Sequence, residues 1–275
     1  RGEQFKQLYL DTLTYLENWT GYNALIAQGS SSCAIETVLS SIKVKSLGIL
    51  NYGVFGKRAI QIAEQYNHVE EVNTLEELTE LVLKRVVDSI YIVQFETSNS
   101  SLIWMDELSP LLKICKENQV ISIIDSVSAF PYYSLPDSDV IVLSSAKQLR
   151  GLPVVGIILH RKDLEDETSY LGKSLSLNIN SYLSLRKLLE YKKRQQTPHT
   201  PMVPQILSLY ESISKEEWKP YVKAINKNAG MLSFWFPDII VGLNDAPVIT
   251  LEVKDIKGLE QFLNEKQIQL YYNDS

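Results

Sequence analysis

The chain has little of what metal sites and cross-linked folds are made from. Its 275 residues include two cysteines, Cys33 and Cys115, and three histidines, His68, His160 and His199, all far apart. Neither set has metal-ligand spacing, and two distant cysteines make no disulfide framework, which disfavours a zinc site and a secreted scaffold. Excess positive charge is also missing. Against 33 Asp and Glu stand 27 Lys and Arg, a net charge of −6, so no basic field attracts nucleic acid or an anionic membrane. No apolar run approaches ~20 residues, and the first residues lack the apolar core of a signal peptide. A cytoplasmic, reducing setting is expected. The chain opens on Arg1 rather than Met, as a fragment or a processed product would.

What is present is a 45% hydrophobic chain, enough for one large core and a smaller satellite domain. Strand-like runs at Asn23–Ala27, Lys45–Leu50, Ser89–Phe95, Val120–Asp125 and Val140–Ser144 are separated by helical periodicity. Helices are predicted at Phe5–Leu16, Ala34–Ser41, Phe55–Tyr66, Glu76–Val86 and Trp104–Asn118. That alternation predicts an α/β fold with a mostly parallel, helix-covered sheet. Further helices are expected at Asn180–Tyr191 and Val203–Ser214, giving a large domain over 1–213. From 214 to 275 a small α+β domain is expected, with strands at Leu232–Phe236, Pro247–Val253 and Ile268–Tyr272 and a helix at Lys257–Lys266.

The strand ends hold the chemistry-bearing residues. Gly29-Ser-Ser-Ser32 lies between a strand and a helix, where backbone N–H groups and hydroxyls can seat a phosphate. An ordinary turn with N-cap serines has the same composition. There is no Gly-Lys-Ser/Thr phosphate loop and no G-x-G-x-x-G, which disfavours nucleotides. Phe55, flanked by Gly53 and Gly56, either projects into a cleft to stack on a flat heterocycle or belongs to the core. Thr97 stands in a polar run after a strand. Asp125 ends an apolar strand, where an unpartnered charge is costly, though acids there often cap helices. Lys147 follows the next apolar strand, as a solvated loop lysine also would. Thr200 sits in a Pro-rich segment, where capping the helix after Met202 is the plainer role. In open α/β sheets ligands gather at the carboxyl ends of strands, so these residues are expected to converge. An acid and a lysine at neighbouring strand ends suit pyridoxal phosphate. The lysine holds its aldehyde as a Schiff base and the acid keeps its pyridine nitrogen protonated.

Taken in order, these segments resemble the class V aminotransferases of the fold-type I pyridoxal phosphate superfamily, most of all its 2-aminoethylphosphonate–pyruvate transaminase group. Gly29-Ser-Ser-Ser-Cys-Ala-Ile-Glu36 is similar to the family's phosphate turn, and Asn51-Tyr-Gly-Val-Phe-Gly-Lys-Arg58 to its Asn-Gly-x-aromatic-Gly-x-Arg. Phe95-Glu-Thr-Ser-Asn-Ser100, Asp125-Ser-Val-Ser-Ala-Phe130 and Ser144-Ser-Ala-Lys-Gln-Leu-Arg-Gly-Leu-Pro153 follow three further motifs. Gln196-Thr-Pro-His-Thr-Pro201 corresponds to a segment that reaches the neighbouring subunit's phosphate.

The resemblance implies a large domain of the aspartate aminotransferase-like fold and a homodimer with a shared active site. Lys147 would carry the cofactor and shuttle the proton, partly desolvated as a general base requires. Asp125 would pair with the pyridine nitrogen, Phe55 would stack on the ring, and Val127 would pack beneath it. Ser30, Ser31 and Ser32 would seat the phosphate, with Thr200 from the partner chain, and Thr97 would touch the ring. The implied partners are a small amine and a 2-oxo acid such as pyruvate, with no nucleic acid and no membrane.

This chain departs from the family at several places. Ser31 stands where the family has glycine, adding a side chain where backbone approaches phosphate. Phe95 replaces a histidine-containing motif start, Ser100 replaces a glycine, and Gly156 is displaced along the lysine motif. The family's Pro-Gly-Pro segment and its carboxylate-gripping Arg-Ile-Gly motif have no counterpart between Arg1 and Ser275. A degenerate, non-catalytic domain acting in dimerisation or docking is therefore the alternative expectation. A cysteine desulfurase-type lyase is a third, but no loop cysteine or ring-stacking histidine is evident.

Overall fold

The structure, a computed structural model, describes residues 2–176, 179–235, 240–241, 247–252 and 255–265. The chain runs through α1 (Glu3–Thr20), β1 (Asn23–Gln28), α2 (Ser31–Ser41), β2 (Ser46–Leu50) and α3 (Val54–Ala63). Next come β3 (His68–Val72), α4 (Leu75–Leu83), β4 (Ser89–Val93), the short pair β5 (Phe95–Glu96) and β6 (Ser101–Leu102), and α5 (Met105–Asn118). β7 (Ile121–Asp125), β8 (Val140–Ser144) and β9 (Val155–His160) follow, then α6 (Tyr170–Lys173), α7 (Leu185–Lys193) and α8 (Val203–Ser214). The last described elements are α9 (Trp218–Trp235), β10 (Ile240–Val241), β11 (Thr250–Leu251) and α10 (Ile256–Glu265).

Seven strands form one sheet in the order β1-β9-β8-β7-β4-β2-β3. β9 is antiparallel to both its neighbours, and the remaining pairings are parallel. The sheet is buried on both faces, which explains why its strands are apolar throughout rather than alternating. The period of two still sorts side chains between the layers. On β1, Leu25 and Ala27 face the core under α2, α3 and α7, while Ala24 and Ile26 face the core under α1 and α8. On β7, Ile121 and Ile123 take the first of these faces. Two residues further on, Asp125 follows them onto it. Tyr91 and Val93 of β4 lie on the same face. β1, β2, β4, β7 and β8 all end along one edge of the sheet.

Local chemistry fixes the helix starts. Thr74 Oγ1 accepts the Glu77 N–H at 3.2 Å while Glu77 Oε2 accepts the Asn73 N–H at 2.9 Å, so both ends of that turn are closed before α4. Ser184 caps α7 in the same way through the Lys187 N–H.

Several expectations are corrected. Leu232–Phe236 is not a strand: residues 232–235 continue α9. Val222, Ile225 and Ala229 already set a helical repeat upstream, and it carries through the aromatic residues. The helix expected from Asn180 begins at Leu185, after its Ser184 cap. The run expected over Ser89–Phe95 is broken: β4 ends at Val93, Gln94 is a bend, and Phe95–Glu96 turns away to pair with Ser101–Leu102. Two strands of the seven-stranded sheet have no counterpart in the sequence reading. β3 is a half-exposed edge strand, and β9 was merged with the run that carries Lys147. The strand expected at Ile268–Tyr272 lies outside the described residues.

Candidate active site

A cleft opens at the edge where the parallel strands end. Ser31, Ser32, Phe55, Asp125, Val127 and Lys147 line it together. Residues 31 to 147 therefore converge although no two of the motifs are adjacent in the chain. Ser30, Thr97 and Thr200 are not among the wall residues. Ser30 is the N-cap of α2, Thr97 is half-buried in the turn after β5, and Thr200 is exposed. The Thr200 carbonyl accepts a 2.7 Å bond from Gln28 Nε2, at the strand end that leads into the serine turn.

The start of α2 is open to an anion. Ser30 makes no side-chain cap bond, so among the described residues the first-turn N–H groups have no side-chain capping acceptor. Gly156 allows the helix start to lie against β9: a Cβ there would come within 2.6 Å of Ala34 Cβ and 3.1 Å of the Ser30 carbonyl. Phe55 and Arg58 sit one turn apart on α3, and both line the cleft.

Asp125 is buried, with 6% of its surface exposed. Its Oδ1 accepts the Val127 N–H at 2.9 Å and its Oδ2 accepts the Tyr91 hydroxyl at 3.0 Å. Burial pushes its pKa up to about 6, and the two hydrogen bonds, with a smaller contribution from Lys147, hold it from rising further. No cation is ion-paired with it among the described residues. A cationic ligand nitrogen would supply the missing partner.

Lys147 lies three residues past the end of β8, in a tight 3-10 turn, Lys147–Leu149. Its backbone is left-handed, φ 54°, as are those of Arg150 at 63° and Val154 at 79°. Three such residues in eight, one of them β-branched, mark a strained loop. The loop is pinned where it could relax. Gly151 N–H donates to the Ser145 carbonyl at 2.8 Å, Ser145 Oγ to the Leu152 carbonyl at 2.6 Å, and Ser212 Oγ to the Leu149 carbonyl at 2.6 Å. The expected partial desolvation of Lys147 is corrected, because its side chain is exposed on the cleft wall. The turn carries it beyond the strand end and so beyond the core.

Sequence reading missed three residues. Arg58 had a signal in its i, i+3 spacing from Phe55. Glu96 had one as an acid beside a strand end: it is fully buried, and its Oε2 accepts the N–H groups of Phe55 at 3.0 Å and Gly56 at 3.2 Å. Tyr91 had the weakest signal, a polar-tipped aromatic inside an apolar strand, which needs a partner when buried.

The group that the fold implies fits these residues. A phosphate has the open helix start, a pyridine nitrogen has a buried carboxylate short of a cation, and an aldehyde has a lysine amine on the same wall. Phe55 and Val127 supply apolar surface between them.

No family model matches the chain. A 2-aminoethylphosphonate–pyruvate transaminase of Bacillus cytotoxicus is 25% identical over 224 residues, covering 74% of this chain and 58% of that protein. One from Vibrio vulnificus is 22% identical over 260 residues, 84% of this chain and 67% of that protein. The chain thus spans under two thirds of the first relative's length. Among solved structures, the ureidoglycine–glyoxylate aminotransferase of Bacillus subtilis superposes with a TM-score of 0.82 at 19% identity, covering 96% of this chain and 75% of that one. Alanine–glyoxylate aminotransferase from Nostoc sp. gives 0.81 at 17%, covering 96% and 77%. The chain therefore has the fold of the fold-type I aminotransferases and is similar, at 22–25% identity, to 2-aminoethylphosphonate–pyruvate transaminases.

Proposed function

We propose that this chain carries the cofactor-binding part of a pyridoxal phosphate-dependent aminotransferase. The observation that carries the reading is the meeting of Asp125 and Lys147 on one cleft wall with the uncapped start of α2. The cofactor, when bound, supplies an electron sink for cleavage of the bond between hydrogen and the amine-bearing carbon. The backbone N–H groups of Ser31 and Ser32 bind its phosphate, helped by the positive end of the helix. Asp125, which accepts two hydrogen bonds, would keep a proton on the pyridine nitrogen. Phe55 and Val127 keep water from the ring faces. Lys147 Nζ would hold the aldehyde and, from the same wall, would be placed to take a proton from the donor's amine-bearing carbon. Over a full cycle an amine becomes a carbonyl compound and a 2-oxo acid becomes an amino acid.

The names of the sequence relatives support 2-aminoethylphosphonate as donor and pyruvate as acceptor. Residues 1–213 form the cofactor-binding domain in this reading and residues from 214 a smaller one, in a homodimer whose partner's Thr200 segment approaches the phosphate. The competing reading is a non-catalytic dimerisation or docking domain. It is favoured by Leu152, Val154 and Leu207, which are 43–48% exposed beside the lysine loop.

The test is spectroscopic. Purified protein mixed with pyridoxal phosphate should develop a visible absorption band, and borohydride should fix the cofactor to Lys147. Added 2-aminoethylphosphonate should then bleach the band and pyruvate restore it. A protein that stays colourless at millimolar cofactor sinks the aminotransferase reading. A coloured protein unmoved by any amine supports the docking domain.

A further inference from the structure

Tyr91 lies at the centre of the sheet, fully buried, and its hydroxyl reaches the one acid that faces the cleft from a strand end. In the β4–β7 ladder Tyr91 pairs with Ile123 and Val93 with Asp125. Tyr91 is thus two residues behind Asp125 on the same face, about 6–7 Å along the strand. A phenol ring pointing along that face spans this offset, and its hydroxyl arrives 3.0 Å from Asp125 Oδ2. Phenylalanine would fill the same volume and leave that oxygen without its donor.

We propose that Tyr91 is a positioning residue that holds Asp125 ionised and oriented for a protonated heterocycle nitrogen. The proposal rests on the aminotransferase reading for the identity of that heterocycle, but the link between Tyr91 and Asp125 stands on the protein alone. Each carboxylate oxygen has two acceptor directions. Val127 N–H takes one on Oδ1 and Tyr91 takes one on Oδ2, which leaves one on each oxygen for a ligand. The groups around Asp125 otherwise favour its neutral form. Glu96 on β5 repels its charge, and Tyr52, before α3, is a partly buried phenol bonded to the Val93 carbonyl rather than to the acid. Among the described residues the cation that acts on Asp125 is Lys147, and its contribution is smaller than that of either hydrogen bond. Arg58 acts on Tyr91 instead. Removing the Tyr91 hydroxyl therefore removes one of the two donors that oppose burial. The remaining donor, Val127 N–H, cannot follow a moving carboxylate because it belongs to the backbone.

The experiment uses the whole chain without cofactor first. Asp125 is followed by carboxyl ¹³C NMR from pH 4 to 8 in the wild type and in Tyr91→Phe, with Asp125→Asn to assign the resonance. Tyr91→Phe should raise the Asp125 midpoint by roughly one pH unit, since a hydrogen bond to a charged group is worth about a tenfold change in the equilibrium or more. Pyridoxal phosphate affinity should fall about fivefold at pH 6 but no more than about twofold at pH 7, and recover at higher pH, a profile that a merely loosened core would not give. In the Asp125→Asn background, Tyr91→Phe should cost little further affinity. An unmoved Asp125 midpoint in Tyr91→Phe overturns the proposal. If Tyr91→Phe does not fold, 3-fluorotyrosine at position 91, a stronger donor of nearly the same shape, should lower the Asp125 midpoint; no change overturns the proposal equally. Failure of the wild type to bind pyridoxal phosphate would sink the functional reading and leave the ¹³C result to judge Tyr91.

Discussion

The buried carboxylate of Glu96 caps the helix that carries Phe55. Its Oε2 accepts the Phe55 N–H at 3.0 Å and the Gly56 N–H at 3.2 Å, and its Oε1 accepts the Ser98 hydroxyl at 2.6 Å. One acid thus joins the β5 turn to the start of α3 and sets where the Phe55 ring enters the cleft. A negative charge at a helix N-terminus is favourable, and Gly53 makes room for it, since a Cβ there would stand 2.2 Å from Glu96 Cγ.

Glu96→Ala should destabilise the protein by about 2–4 kcal/mol, because it strips several buried N–H groups of their acceptor. Glu96→Gln keeps an acceptor oxygen and should lose less. Urea unfolding of the two variants checks the order. Equal losses would mean that the carboxylate charge, not its oxygens as acceptors, makes the cap.

Lys147→Gly should separate stability from cofactor attachment. Lys147 holds φ 54°, a conformation that costs an L-residue about 1–2 kcal/mol and glycine almost nothing. The variant should be at least as stable as the wild type by thermal unfolding, yet leave no borohydride-fixed adduct. A marked loss of stability would show that the lysine side chain supports the loop.

Gly156→Ala should cost about 1–3 kcal/mol, since its Cβ meets Ala34 and the Ser30 carbonyl and pushes the start of α2 off β9. Inorganic phosphate should bind more weakly in calorimetric titration. Gly230, inside α9 with nothing within 4 Å of an added Cβ, is the counter-test. Gly230→Ala should stabilise by roughly 0.5–1 kcal/mol through helix propensity alone.

The pH dependence should show two buried groups offsetting each other. Burial raises Asp125 from 3.8 to about 6 and lowers His160 from 6.5 to about 4. The folded state binds the extra proton on Asp125 between those values, so its contribution improves below pH 6 and is lost as pH rises through it. His160 is the reverse: its contribution is present above pH 6.5 and lost as pH falls toward 4. The pair should therefore leave stability nearly flat between pH 4 and 6. Cofactor-free Asp125→Asn should gain up to roughly 3 kcal/mol at pH 7, nothing at pH 4, and lose stability steeply on acidification. Denaturant midpoints across that range decide it.

Much of the site was legible because its residues stand at strand ends, where an apolar run stops at a polar residue. Ser31, Ser32, Asp125 and Lys147 could be picked out that way, Phe55 by its flanking glycines and Val127 only through the family resemblance, and all six share one cleft. β3 was not legible, since His68-Val-Glu-Glu-Val72 is half polar at the sheet's edge. β9 was hidden because the loop carrying Lys147 ends in Leu152-Pro-Val154, which runs without a polar break into the apolar strand. Leu232 to Trp235 has the composition of a strand, but the repeat before it and the backbone bonds of α9 decide otherwise.

By itself the sequence determined the alternation of strands and helices, the apolar layers, and which residue types stand at which strand ends, because those follow from period and composition over short windows. The tertiary structure alone decided the partners. Tyr91 and Asp125 are 34 residues apart and Glu96 and Phe55 are 41, and only strand register and the turn after β4 bring each pair within hydrogen-bond reach. The exposure of Lys147 was decided there too. A lysine after two serines reads the same whether the chain continues as strand or turns, and it is the left-handed turn, pinned by Ser145 and Ser212, that sets the amine on the cleft wall.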